Sequence, residues 1–124
     1  MTITATQKYA RQAPRKVRLV ANSVRKMKLE EAVRQLGVMD RTASILVLKV
    51  IRQAIANAIN NHNLKFEELE LKNILVDGAA TYKRFRAASR GRGNSIFKRS
   101  SHVTVILEKP EVNATPAAAT SKVA

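Results

Sequence analysis

A chain of 124 residues with no cysteine carries 23 Lys and Arg against 9 Asp and Glu, a net charge of +14. The length suits one domain with a real hydrophobic core. The missing cysteine excludes a disulfide framework, a thiolate zinc site and a cysteine nucleophile, and the charge attracts a polyanion, with nucleic acid first and an anionic membrane as competitor.

Thr2 to Tyr9 is rich in β-favouring residues and predicts an edge strand. Met1 to Thr6 shows no basic segment leading into an apolar run, so no signal peptide is expected. Pro14 suits the first position of a helix, where its missing N–H costs nothing. From there Val17, Val20, Val24 and Met27 recur at helical spacing and form one apolar stripe. Arg11, Arg15, Arg18, Asn22 and Arg25 recur on the opposite side, with Arg11 just ahead of Pro14. No carboxylate interrupts that face, so it is expected to meet phosphates rather than solvent.

Leu29 to Leu36 predicts a short amphipathic helix, with Gly37 as its stop and Asp40 as the N-cap of the next. Arg41 to about Asn61 predicts the longest helix. Its stripe of Ala43, Val47, Val50, Ile51, Ala54, Ile55 and Ala58, widened by Ile45, Leu46 and Leu48, belongs at the centre of the core. No run of apolar residues is long enough to predict a membrane span. Asn60-Asn61-His62-Asn63 reads as a polar turn.

Glu67 to Asp77 predicts a strand with Leu69, Leu71, Asn73 and Leu75 on one face. Ile74 and Val76 fall on the other, and Asp77-Gly78 is read as an irregularity. His102 to Leu107 predicts another strand, with Val103, Val105 and Leu107 alternating against Thr104 and Ile106. Residues 110–124 are rich in Pro, Ala and Thr and predict a disordered tail beyond a single domain of residues 1–109.

These elements divide the charge. Residues 1–29 hold eight basic residues and no acid, residues 30–77 six basic and seven acidic, and residues 78–107 seven basic and no acid. A solvated surface mixes signs. Two acid-free stretches instead predict nucleic-acid binding.

The seven basic residues of the last stretch all lie in KRFRAASRGRGNSIFKR, Lys83 to Arg99. Bracketed by two strands, this segment predicts a protruding hairpin over about 78–101 that turns at Ser89–Asn94. Each arm would be roughly ten residues, about 30 Å long. Tyr82, Phe85, Ile96 and Phe97 would pack across its base, while Ala87 and Ala88 keep the tip slender. A lone charged ribbon is marginal in water, so it is expected to be loose when free and ordered on its partner. Gly91-Arg92-Gly93 lacks the spacing of a phosphate-binding P-loop.

Catalytic constellations are missing from the sequence. His62 and His102 have no metal-ligand spacing, and Glu30-Glu31 and Glu67-Glu68 are adjacent pairs that point apart. Ser100-Ser101 has no acid between Asp77 and Glu108 to orient a base. No enzyme activity, cofactor or metal is expected. A free basic RNA chaperone fits the same charge. A membrane-active protein would need interfacial aromatics, which the first helix lacks after Tyr9.

Four segments carry a resemblance: PRKVRLVANSVR (Pro14–Arg25), AIANAINN (Ala54–Asn61), ILVDGA (Ile74–Ala79) and GRGNSIFKRSSHVTVIL (Gly91–Leu107). Over roughly residues 3–109 the chain resembles the L-twenty-two family of large-subunit ribosomal proteins. The resemblance implies an α+β fold: three helices packed on a small three-stranded antiparallel sheet, with a long protruding β-hairpin. It implies a non-catalytic protein of the ribosome, bacterial or organellar. Such a protein binds several domains of large-subunit ribosomal RNA, touches neighbouring subunit proteins and supports assembly. The hairpin would line the peptide exit tunnel and meet the nascent chain transiently; neither membrane insertion nor a homo-oligomer is expected. Carried over by position, the RNA-binding candidates are Arg15, Lys16, Arg18, Lys83, Arg84, Arg90, Arg92, Lys98 and Arg99. Charge and spacing add Arg11, Arg25 and Arg86. The hairpin tip maps to Ala88, Ser89, Arg90, Gly91, Arg92 and Gly93. The sequence departs at Ala87 and Ala88, where the family usually carries a proline and a basic residue.

Overall fold

The computed structural model describes residues 1–111. Three helices, α1 (Pro14–Val24), α2 (Leu29–Val38) and α3 (Thr42–His62), follow the first strand, β1 (Thr2–Ala10). Four more strands come after them: β2 (Glu70–Gly78), β3 (Tyr82–Ala87), β4 (Gly93–Lys98) and β5 (Ser101–Glu108). The strands make two antiparallel sheets, one ordered β1–β5–β2 and one formed by β3 and β4 alone. The fold is therefore α+β, as the resemblance implies. Expectations for residues 112–124 of the tail fall outside the described residues.

The period-two pattern of β5 makes it the central strand. Ser101, Val103, Val105 and Leu107 are buried, and the residues between them are half-buried. Ile3 and Ala5 of β1, with Ile74 and Val76 of β2, complete the same apolar face. The helices cover that face. Helix α3 lies against β1 and β5, α1 lies beside β2, and α2 packs on α3. Val17, Val20, Val24, Leu36, Val47, Val50 and Ile51 meet there with almost no exposure. Each contributes on the order of 1.5–3 kcal/mol before entropy is subtracted. By length and composition α3 could cross a membrane. In this fold its Val47, Val50, Ile51, Ala54 and Ala58 face the core.

Several boundaries differ from the sequence expectation, each for a local reason. Helix α2 passes through Gly37 and ends only when Met39 turns extended. Gly37 has no positive φ, so it does not act as a left-handed stop. The N-cap of α3 is Arg41, not Asp40, and its side chain caps nothing. Ser44, buried one turn on, donates its hydroxyl to the carbonyls of Arg41 and Met39 instead. At the other end Asn60, Asn61 and His62, expected in a turn, are still helical, and only Asn63 closes the helix. Asn63 adopts φ 53° and ψ 34°, and its N–H donates to Ile59, the left-handed close that asparagine tolerates.

The second strand starts later than expected, after a 3₁₀ turn at Phe66–Glu68. Its irregularity lies at Lys72, not at Asp77-Gly78. Leu71 pairs with Leu107 and Asn73 with Ile106, so one residue is extra. This bulge switches the buried parity: Leu69 is buried before it, Ile74 and Val76 after it, and Leu75 is turned outward. The sequence's two competing faces are thus one face, re-aimed in mid-strand.

Replacing Ile51 by Ala should cost about 2–5 kcal/mol, the range for truncating a fully buried aliphatic side chain. Ile51→Asp should abolish the folded state, because an unpaired carboxylate would enter the core. Urea titration followed by circular dichroism measures both. An Ile51→Asp protein that still unfolds cooperatively would show that this position is not central.

Candidate nucleic-acid interface

The arginines of α1 do not form one face. Each helical residue rotates by about 100°, which sends Arg18 and Arg25 to the flank beside β2. Arg18 donates through Nε and Nη2 to the carbonyl of Val76, at 3.2 and 3.1 Å. Arg25 donates through Nη2 to the carbonyl of Ile74 at 2.7 Å. Strand β2 is the last strand of its sheet, so these carbonyls lack a neighbouring strand. Two guanidinium groups therefore close the free edge, where an open row of carbonyls would invite another chain. Arg25 is half-buried and here serves the strand edge through Nη2. Arg18 stays exposed, with further N–H groups to offer.

Arg15 points away from the sheet and is exposed. Lys16 turns to the flank opposite Arg18. There it lines a cleft of about 610 Å³ with Arg11, Gln12, Leu19, Arg41 and Thr42. The sequence offered Arg41 only as a helix start; here it joins Arg11 and Lys16.

The ribbon is shorter than the sequence suggests. Strands β3 and β4 have six residues each, against the ten expected. Backbone pairing is broken at Ala79–Thr81 and at Arg99–Ser100, so the ribbon forms its own sheet rather than a continuation of β2 and β5. Its turn spans Ala88–Arg92, closed by the Ala88 N–H donating to the Arg92 carbonyl at 2.8 Å. Arg90 and Gly91 take the positive φ values, 58° and 69°. Gly93, expected in the tip, already pairs with Ala87, and Asn94 pairs with Arg86.

The root is pinned at several points. The Ala79 N–H donates to the Ser100 carbonyl at 2.9 Å, and the Ser100 hydroxyl donates to the Ala80 carbonyl. Ser100 and Ser101 are buried. The Arg11 guanidinium lies 4.7 Å from the centre of the Tyr82 ring, a cation–π contact that joins the β1–α1 link to the ribbon. A second bulge supports this corner: between Gln7 and Ala10 β1 gains one residue against β5, and Tyr9 has φ 54°. Its N–H donates to His102 Nδ1 at 3.0 Å, and its ring meets the imidazole edge-on. His102 is thus a bulge partner, a role that depends on an irregularity absent from the residue pattern. Only Tyr82, of the four side chains expected to pack across the base, is sheltered; Phe85, Ile96 and Phe97 are exposed.

Charge pairing separates the two regions. The ion pairs among the described residues are Arg34–Glu30, Lys72–Glu108 and Lys109–Glu68. The Lys109 ammonium, hydrogen-bonded to Glu68, holds that carboxyl below its ordinary range. None of these pairs uses a candidate interface residue. Arg11, Arg15, Lys16, Arg18, Lys83, Arg84, Arg86, Arg90, Arg92, Lys98 and Arg99 have no carboxylate partner within 4 Å among the described residues.

This arrangement defines a class: a basic α+β protein whose carboxylate-free cations lie on one helix and on a coreless ribbon. Residues 5–108 match the family model described as Ribosomal protein L22p/L17e, and the chain belongs to that family. It is accordingly a structural protein of the large ribosomal subunit that binds ribosomal RNA, rather than an enzyme.

Arg25→Ala should lower stability by about 1–2 kcal/mol, because it uncaps the Ile74 carbonyl. Arg15→Ala should leave stability within about 0.5 kcal/mol, as an exposed position does, while weakening RNA binding. Paired denaturation and binding measurements on the two variants separate these roles. Deleting Arg90–Asn94 removes no buried side chain, so the unfolding midpoint of the free protein should hardly move. A large fall in the midpoint would show that the tip supports the core.

Proposed function

We propose that residues 1–109 act as one domain whose α1 face and ribbon hold several segments of large-subunit ribosomal RNA together. The ribbon enters the RNA and forms part of the wall of the nascent-peptide tunnel. In this reading Arg15, Lys16 and Arg18 contact phosphates beside the globular part. Lys83, Arg84, Arg86, Lys98 and Arg99 do so along the ribbon, and Arg90 and Arg92 at its tip, where the nascent chain would pass. Bridging separate RNA segments is how such a protein would support assembly.

One observation carries the proposal: a ribbon with seven basic residues, no acid and no buried side chain from Lys83 to Arg99. Folding such a ribbon against the globular part would gain no apolar burial and would concentrate like charge. Against RNA, the phosphates supply the counter-charge and the surrounding nucleotides the packing. The small residues Ala87 and Ala88 keep the approach to the turn narrow.

Backbone contacts make affinity fall steeply with salt, by a slope of about 0.7–0.9 per neutralised phosphate on logarithmic axes. Replacing Arg84 and Arg86 together by Gln should reduce that slope by roughly one to two. Titration against a large-subunit RNA fragment at several salt concentrations gives the number, and an unchanged slope would remove the ribbon from the phosphate interface. Crosslinks from a photoreactive group at position 90 in assembled subunits should reach both RNA and a stalled nascent chain. Crosslinks to RNA alone would place the tip away from the tunnel.

A further inference from the structure

Residues directly across from each other on the ribbon share a face. Tyr82, Arg84, Arg86, Asn94, Ile96 and Lys98 lie on one face. Lys83, Phe85, Ala87, Gly93, Ser95 and Phe97 lie on the other. The first face is cationic. The second carries both phenylalanines of the ribbon and a single cation, Lys83, paired directly with Phe97.

The phenylalanines are left in water, Phe85 at 74% and Phe97 at 51% of their full exposure. Phe85 is nonetheless seated. A Cβ added to Gly93 would stand 1.6 Å from its Cε2 and 2.1 Å from its Cζ, so the ring rests on the glycine backbone. Gly93 has no positive φ that would call for glycine. The reason for glycine here is the ring above it. One face of the Phe85 ring is thus fixed on β4 and the other is open. Phe97 stands diagonally behind, at the spacing of about 7–8 Å between such neighbours.

We propose that this second face is a stacking platform for unpaired bases of RNA, with Phe85 on Gly93 as its anchor and Phe97 as a second ring. The proposal rests on the RNA-binding reading of the ribbon and assigns its two faces different work. Arg84, Arg86 and Lys98 hold phosphates, and the phenyl rings hold bases. An open aromatic face is sequence-tolerant because every base has a π-face. Single-stranded RNA is characteristically held by such rings beside cations. The absence of acid throughout the ribbon commits the occupant to a polyanion, and Lys83 beside Phe97 serves the phosphate of a base stacked there.

The test compares two probes of equal length and charge, a labelled single-stranded oligoadenylate and an abasic oligonucleotide, each titrated with the full chain. Phe85→Leu keeps the apolar bulk and should weaken oligoadenylate binding roughly ten-fold. The same variant should leave abasic binding and the salt slope unchanged. Gly93→Ala should reproduce the loss by unseating the ring, and should add nothing further in the Phe85→Leu background. Phe85→Trp should retain affinity, with its fluorescence quenched by oligoadenylate and not by the abasic probe. Equal losses on both probes, or none on oligoadenylate, would overturn the platform. So would Phe85-dependent binding of an apolar peptide with RNA binding intact. Arg86→Gln is the separate control: it should weaken both probes, and its failure to do so would count against phosphate contact by the ribbon instead.

Discussion

The packing of α3 against the β1–β5–β2 sheet is the interaction on which the rest of the molecule depends. It gathers the core side chains of the long helix and all three strands into one layer, with α1 and α2 closing its sides. Once that layer satisfies the apolar burial of the chain, α1 needs only Val17, Val20, Ala21 and Val24 for anchorage. Most remaining positions of α1 are free of the core, although Arg18 also bonds the β2 edge. The ribbon is released altogether, since no residue from Lys83 to Arg99 is buried. Arg18 and Arg25 also bond the β2 edge, whereas the cations of the ribbon lie wholly outside the core.

That division explains why the positive charge is tolerated. Like charges destabilise a compact state through self-repulsion. Two devices limit the cost in this chain. Six basic and seven acidic residues leave the 30–77 segment near neutral, and surface ion pairs neutralise Arg34, Lys72 and Lys109. Most of the remaining cations, those of α1 and of the ribbon among them, are exposed, where solvent and salt screen them. Arg25 shows the exception: it faces inward and its guanidinium is met by the backbone dipole of Ile74 rather than by a carboxylate. A carboxylate there would have neutralised part of the charge that draws RNA.

Period and charge made most of this architecture legible. The spacing of Val17, Val20 and Val24, the wide stripe of α3 and the alternation of β5 each matched its element because local pattern and burial agree there. The two strands that bracket the basic segment placed the hairpin between them. What pattern could not reveal is what irregularity decides. The bulge at Lys72 reverses parity within β2, so a strict alternation put Leu75 with Leu69 and Leu71 although it faces solvent. The bulge at Tyr9 creates the role of His102. Gly37 looked like a stop because glycine often is one, yet nothing there requires a positive φ. Among the candidate cations, α1 charge was visible but its direction was not. Arg18 and Arg25 were separated from Arg15 only when a strand edge was placed beside the helix.

The ribbon's short pairing has a mechanical consequence. A hairpin that continued β2 and β5 without interruption would inherit the twist and direction of the main sheet. Here the pairing stops and restarts, and the junction is held by Ser100 with Ala79 and Ala80, and by Arg11 stacked on Tyr82. Ser100 is buried and fixes where the chain leaves the core. The Tyr82 contact is at the surface and depends on a flexible arginine. The root is therefore held by one buried contact and one surface contact, while the six-residue arms bury no side chain against the globular part.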